Sequence, residues 1–85
     1  MMADETDEVA ARIAGLAAER VPHRGTVAGE TRIRELGLDS VALMDLIMAV
    51  EDQFDLIFPL ERLSEVETVD DLARVVRTLV QERMA

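Results

Sequence analysis

The sequence predicts an all-α fold, a small bundle of three main helices plus one short helix. Apolar residues recur at helical spacing in three separate stretches, and no stretch sustains the period-two alternation typical of a strand. Most of the helix-breaking residues fall between residues 21 and 38, so we expect a long loop between the first and second helices. We expect one domain, 1–85, with a core from about residue 6 to residue 82.

The first helix is predicted over residues 6–19. Its apolar stripe follows helical spacing and is flanked by two alanines: Val9, Ile13 and Leu16, with Ala10 and Ala17. The loop that follows, 21–38, is long for a compact domain, and loops of this length are uncommon unless they are pinned or functional. Three apolar residues can pin its second half to the core: Ile33, Leu36 and Leu38.

The second helix is predicted over residues 40–54, with Asp39 as its N-cap. Its core face comprises five apolar residues: Leu43, Leu46, Ile47, Val50 and Phe54.

After Pro59, residues 60–65 can form one short helical turn. The last helix is predicted over residues 69–82, where Thr68 and Asp71 resemble a capping box. Its apolar stripe comprises Val69, Leu72, Val76 and Leu79.

A second face of the second helix has two interpretations. Val41, Met44 and Met48 recur at i, i+3 and i+7, off the core face. Either Met44 and Met48 are extra core or flank it, or the three residues form a strip on which a partner docks, since methionine adapts to many contacts. Three carboxylates lie near this strip: Asp45, Glu51 and Asp52.

Composition narrows the classes of function. The chain has no cysteine and one histidine, His23, in the loop, which excludes most nucleophile–base and metal-ligand sets. We therefore expect no catalytic residue and no metal site. The net charge of −9, with every positive charge on arginine, disfavours nucleic acid and anionic membranes and favours proteins with basic patches. Without a signal-like N-terminus or a membrane-length apolar run, we expect a soluble cytoplasmic protein.

Ser40 is the candidate site for a modification. It directly follows Asp39 at the start of an apolar helix, and an Asp-Ser helix start is by itself a common cap. However, a serine in the first turn is exposed, and the free N–H groups of a helix N-terminus favour an attached phosphate.

The sequence around Ser40 resembles the acyl carrier protein family. The run Leu36-Gly37-Leu38-Asp39-Ser40, leading into the second helix, resembles the family's L-G-x-D-S-L motif. Downstream, Val50–Leu56 resembles its acidic stretch around a phenylalanine, Phe58-Pro59 its apolar-proline step, and Glu67–Leu72 its entry to the last helix. The resemblance spans about residues 9–82 and depends on the ordered set of motifs rather than on any one of them.

This resemblance implies a carrier that catalyses nothing itself. Ser40 would receive 4′-phosphopantetheine from coenzyme A through a phosphopantetheinyl transferase, with Asp39 flanking the modified serine. Acyl intermediates would travel on the arm as thioesters, in polyketide, fatty-acid or related specialised biosynthesis. Basic patches on acyltransferase, ligase or synthase partners would dock on one set of residues: Val41, Met44, Asp45, Met48, Glu51 and Asp52. The family also implies a monomer.

Three departures from the family pattern favour a dedicated carrier over the housekeeping fatty-acid carrier. Val41 stands where leucine is usual, Ala42 where a polar or acidic residue is frequent, and Leu60 where an acidic residue is common. Peptidyl carriers usually have G-G-x-S at this site, so the acyl type is favoured, while aminoacyl carriers share the Asp-Ser form. The alternative outside the carrier class is an acidic helical adaptor without a prosthetic group, in which Ser40 is only a cap residue.

Overall fold

The computed structural model describes residues 5–21 and 27–84 as helices and connecting turns. Its three α-helices are α1 (Glu5–Ala18), α2 (Ser40–Phe54) and α3 (Val69–Met84). A short 3-10 helix, Leu60–Glu65, lies between α2 and α3, which confirms the predicted bundle of three main helices and one short helix. A further 3-10 helix, Ile33–Leu36, lies within the predicted loop. His23 and the rest of residues 22–26 lie outside the described residues.

The inner face of α1 differs in one respect from the predicted stripe. Ile13 and Ala17 are completely buried and Ala10 nearly so, whereas Val9 and Leu16 are only partly buried. The two alanines therefore lie in the core rather than on its flanks. Since α1 packs mainly against α3, and the distance between packed helices depends on the side chains at the contact, small residues suit this position.

The inner face of α2 agrees with its prediction at its centre. Leu46, Ile47 and Val50 are buried, and Phe54 packs against the core from the C-terminal end. Leu43, which the spacing also placed on this face, is only half-buried.

The second half of the long loop is fastened to the start of α3. Leu36 is buried, with Ile33 and Leu38 packed against the core, as the sequence predicts. Backbone hydrogen bonds join the two segments: Ile33 N donates to Glu67 O at 2.8 Å, Val69 N to Thr31 O at 3.0 Å and Asp70 N to Gly29 O at 2.7 Å. These bonds satisfy amide groups at the N-terminus of α3 and hold the segment that leads to α2.

The helix α3 begins with the predicted capping box. Thr68 Oγ1 accepts from the N–H of Asp71 at 3.1 Å, and Asp71 Oδ2 accepts from the N–H of Thr68 at 3.1 Å. Its stripe is buried at Val69, Leu72 and Val76. Among the described residues, no helix is both long and apolar enough to cross a membrane.

Candidate functional site

The chain turns sharply just before Ser40. Gly37 ends the first 3-10 helix with φ 77°, in the left-handed region. Asp39 is then extended, with φ −79° and ψ −179°, and Ser40 is the first residue of α2. Ser40 is exposed, and its hydroxyl makes no hydrogen bond with any of the described residues. A group attached to Ser40 Oγ would therefore break no contact that the structure describes.

The amide groups around Ser40 suit a phosphate. Asp39 caps the helix as predicted, since its Oδ1 accepts from the N–H of Ala42 at 2.7 Å. The first intrahelical bond runs from Leu43 N to Asp39 O at 2.9 Å, so the amides of Ser40 and Val41 precede the hydrogen-bonded ladder. With the positive end of the helix dipole, these amides fit a phosphate ester on Ser40 Oγ.

The apolar strip on α2 faces outward. Val41 is 77% exposed, Met48 60% and Met44 37%, so Met44 and Met48 are not extra residues of the buried core. With Ser40 and Asp45 they line an open depression of about 380 Å³. Ser40 and the apolar strip therefore line the same depression.

The three carboxylates near this strip have different environments. Asp45 Oδ2 accepts from Nε of Arg20 at 2.8 Å. Glu51 Oε2 accepts from the N–H of Phe58 at 2.9 Å, so Glu51 holds the chain where it leaves α2. Asp52 is exposed and forms no ion pair with the described residues. Of the three, Asp52 alone presents a carboxylate that no described residue engages.

Two features of this region were not predicted from the sequence. The first is the contact from Arg20, which lies 25 residues from Asp45, and no sequence spacing signals such a pair. The second is a pair of exposed apolar residues after α2, Ile57 at 86% and Leu60 at 50%. The sequence did contain a sign of the second feature, since Leu60 stands where the resembled family commonly has an acidic residue.

Comparison with known proteins supports one class of protein. The family model described as "Phosphopantetheine attachment site" matches residues 7–76 of this chain. A probable acyl carrier protein of Caulobacter vibrioides is 42% identical over 78 residues, covering 89% of this chain and 91% of that protein. The chain spans less than half the length of the chloroplast acyl carrier proteins that it also matches.

Solved structures agree with this result. The crystal structure of an acyl carrier protein from Thermotoga maritima superposes with a TM-score of 0.76 at 31% identity, covering 98% of this chain and 99% of that one. A carrier protein in a complex of Bradyrhizobium japonicum glycine:[carrier protein] ligase with its glycylated carrier gives a TM-score of 0.65. That second chain is 22% identical, with 85% of this chain and 99% of that one covered, and it supports the fold alone.

Together the fold, the exposed serine and these matches define a carrier with a covalently attached prosthetic group. The chain belongs to the acyl carrier protein family, as the resemblance in the sequence predicts. Its prosthetic group is 4′-phosphopantetheine, which supplies a terminal thiol for thioester formation. The chain itself contains no cysteine, so this thiol comes from the arm.

Proposed function

We propose that this protein carries acyl groups as thioesters on a 4′-phosphopantetheine arm attached to Ser40. The observation that carries the proposal is the exposed Ser40 hydroxyl at the N-terminus of α2, beside amides that precede the helical ladder. In the loading step, Ser40 Oγ forms the new bond to phosphorus, and the adenosine part of coenzyme A leaves with its remaining phosphates. The hydroxyl proton passes to a base that the transferase must supply, since Ser40 has no hydrogen-bonded base among the described residues.

The relatives and the departures in the motif support a proposal for the cargo. Acyl cargo is favoured because the relatives at 42% and 31% identity are both acyl carrier proteins. The departures at Val41 and Leu60 favour a dedicated carrier, in polyketide or related specialised biosynthesis, over the general fatty-acid carrier. An aminoacyl cargo is the second candidate, because the glycylated carrier protein has the same fold.

The exposed face of α2 is the proposed docking surface. It combines the apolar strip of Val41, Met44 and Met48 with three carboxylates: Asp45, Glu51 and Asp52. Apolar contacts supply buried area on binding, while the charge of −9 steers basic proteins toward the carrier. The partners are a phosphopantetheinyl transferase and the acyltransferase, ligase or synthase enzymes that load and use the arm.

Intact-protein mass spectrometry tests the attachment site. After incubation with coenzyme A and a broad-specificity phosphopantetheinyl transferase, the protein should gain one phosphopantetheinyl group. The chain has only two serines, so Ser40→Ala should abolish the gain and Ser64→Ala should leave it intact. If folded protein gains nothing, or if Ser40→Ala still gains the group, the attachment at Ser40 is wrong.

The rate of the same reaction tests the docking surface. Met48→Asp should lower kcat/KM for loading at least about fivefold, because a charge replaces an apolar contact at the interface. Gln53→Asp is the matched control, since it adds the same charge to α2 roughly 140° around the helix axis from Met48. Equal rates for the two variants would contradict docking on this face, and circular dichroism verifies that both remain folded.

A further inference from the structure

The proposed docking face contains an ion pair between α2 and the turn that follows α1. Arg20 lies just beyond the C-terminus of α1, and its Nε donates to Asp45 Oδ2 on α2 at 2.8 Å. The arginine makes two further contacts, since its Nη1 donates to the carbonyl oxygen of Leu16 at 2.7 Å and lies 3.5 Å from Oε1 of the exposed Glu19. The Arg20 side chain is 21% exposed, whereas that of Asp45 is 61% exposed. The cation is therefore partly buried and anchored, and it pairs with a carboxylate that is largely exposed.

This arrangement changes what a basic partner meets at Asp45. One carboxylate oxygen already accepts a charge-assisted hydrogen bond, and any second cation brought to Asp45 is repelled by the Arg20 guanidinium. Because the Leu16 carbonyl already fixes the guanidinium, Arg20 loses little additional freedom in pairing with Asp45. A flexible lysine or arginine on a partner must lose more freedom to take its place.

The other two carboxylates of this face differ from Asp45 in the groups that engage them. Glu51 accepts from the backbone N–H of Phe58. Asp52 is exposed, and no described residue pairs with it. Asp52 is therefore the position on this face where a partner's cation meets a negative charge without an internal competitor.

We propose that Arg20 masks Asp45 and so acts as a specificity determinant of the docking face. The inference rests on the proposed docking function of α2. The masking of Asp45 selects partners whose apolar patch covers Met48 and whose cation lies opposite Asp52. Partners that depend on a cation at the Asp45 end must displace Arg20 and are disfavoured.

A double-mutant cycle on the loading reaction tests the masking. The probe is a broad-specificity phosphopantetheinyl transferase with coenzyme A, and the measured quantity is kcat/KM for modification of Ser40. Arg20→Gln should raise this value about two- to fivefold at low salt, the range expected for an exposed ion pair. Asp45→Asn should cancel the gain in the Arg20→Gln background and should lower kcat/KM by a smaller factor in the wild-type background. The gain should shrink as salt is added.

Two matched controls separate masking from general effects. Arg12→Gln removes the same charge from α1, where Arg12 pairs with Glu8 at 3.4 Å instead of with α2, and should leave the rate nearly unchanged. Asp52→Asn, with Arg20 intact, should lower kcat/KM more than Asp45→Asn does. This second comparison does not require any change at Arg20, so it tests the proposal even if Arg20→Gln impairs folding.

Three results would overturn the masking. Arg20→Gln could load no faster than the wild type, Asp45→Asn could have the same effect in both backgrounds, or Asp45→Asn could cost as much as Asp52→Asn. Each of these can occur while Ser40 is still loaded, so the carrier function would stand. If the folded wild-type protein is never loaded at Ser40, the proposed function fails first, and the inference fails with it.

Discussion

At the scale of single residues, two glycines have opposite roles. Gly37 has φ 77° at the turn that leads to Asp39 and Ser40. A side chain is strained in this conformation, because its Cβ approaches the following carbonyl oxygen. Gly15 lies inside α1, where an added Cβ would have no heavy atom within 4 Å. The first glycine is therefore needed by the backbone of the site, and the second only weakens its helix.

Replacing each glycine by alanine should shift stability in opposite directions. Gly37→Ala should lower the free energy of unfolding by about 1–2 kcal/mol, because alanine is strained in the left-handed region. Gly15→Ala should raise it by about 0.5–1 kcal/mol, because alanine favours a helix interior. Urea unfolding followed by circular dichroism measures both variants. A stabilising effect of Gly37→Ala would mean that the turn before Ser40 does not require a glycine.

At the scale of elements, the start of α3 depends on one carboxylate. Asp71 Oδ2 accepts from the backbone N–H groups of Glu67 and Thr68, at 3.0 and 3.1 Å. These two hydrogen bonds, with a further one from Arg74, lower the pKa of Asp71 below its ordinary value of 3.8. A carboxyl whose folded-state pKa is lowered stabilises the fold fully above its unfolded pKa. That stabilisation is lost as the pH falls through the folded-state pKa.

Removing this cap should therefore have a pH-dependent effect. Asp71→Ala should lower the free energy of unfolding by about 1 kcal/mol at neutral pH, as expected for loss of a helix cap. The difference from the wild type should stay constant down to about pH 5 and shrink below about pH 4. Asp70→Ala, in the same helical turn, is the control for the helix dipole alone. Urea unfolding over this pH range tests the sign, and a difference that grows toward acid would contradict it.

At the scale of the whole molecule, a small aliphatic core stabilises the fold. The chain has two aromatic residues, Phe54 and Phe58, and only Phe58 is fully buried in the core. Ile13 of α1 is completely buried where α1, α2 and α3 meet the same cluster. Ile57, of the same residue type, is 86% exposed beyond the end of α2. Comparing the two isoleucines therefore measures the effect of burial on stability for one residue type.

Truncating the two isoleucines should have very different effects. Ile13→Ala should cost about 2–5 kcal/mol, from lost burial and the cavity left behind, which is a large share of the 5–15 kcal/mol typical of a domain. Ile57→Ala should stay within about 0.5 kcal/mol of the wild type. Thermal and urea unfolding test the pair. Similar losses for both would mean that the exposed loop contributes to the core in solution.

The parts of the structure that were predictable are those with local causes. Helical periodicity determined the three helices to within two residues at each end, and the caps at Asp39 and Thr68 follow from side chains three residues from the amides they bond. The alanines Ala10 and Ala17 were placed less well, because spacing defines a stripe but not which of its members the neighbouring helix approaches most closely.

In the candidate site, too, the features with local causes were predictable, and those that depend on neighbouring helices were not. The motif around Ser40 could be recognised because the serine, its cap and its helix are consecutive in the chain, and the matched family model spans these residues. The outward direction of Met44 and Met48 remained one of two interpretations until the bundle was known, since both faces of α2 are apolar. Whether a face is covered depends on neighbouring helices, which the residues of α2 do not encode by themselves.

The sequence by itself determined the family, the helices and the serine at the start of α2. Only the tertiary structure decided the pairing of Arg20 with Asp45, the capture of the Phe58 amide by Glu51, and the fastening of Gly29–Ile33 to the start of α3. The reason is physical: helix formation and capping depend on groups a few residues apart. Each of the tertiary contacts requires the chain to turn back on itself before donor and acceptor meet.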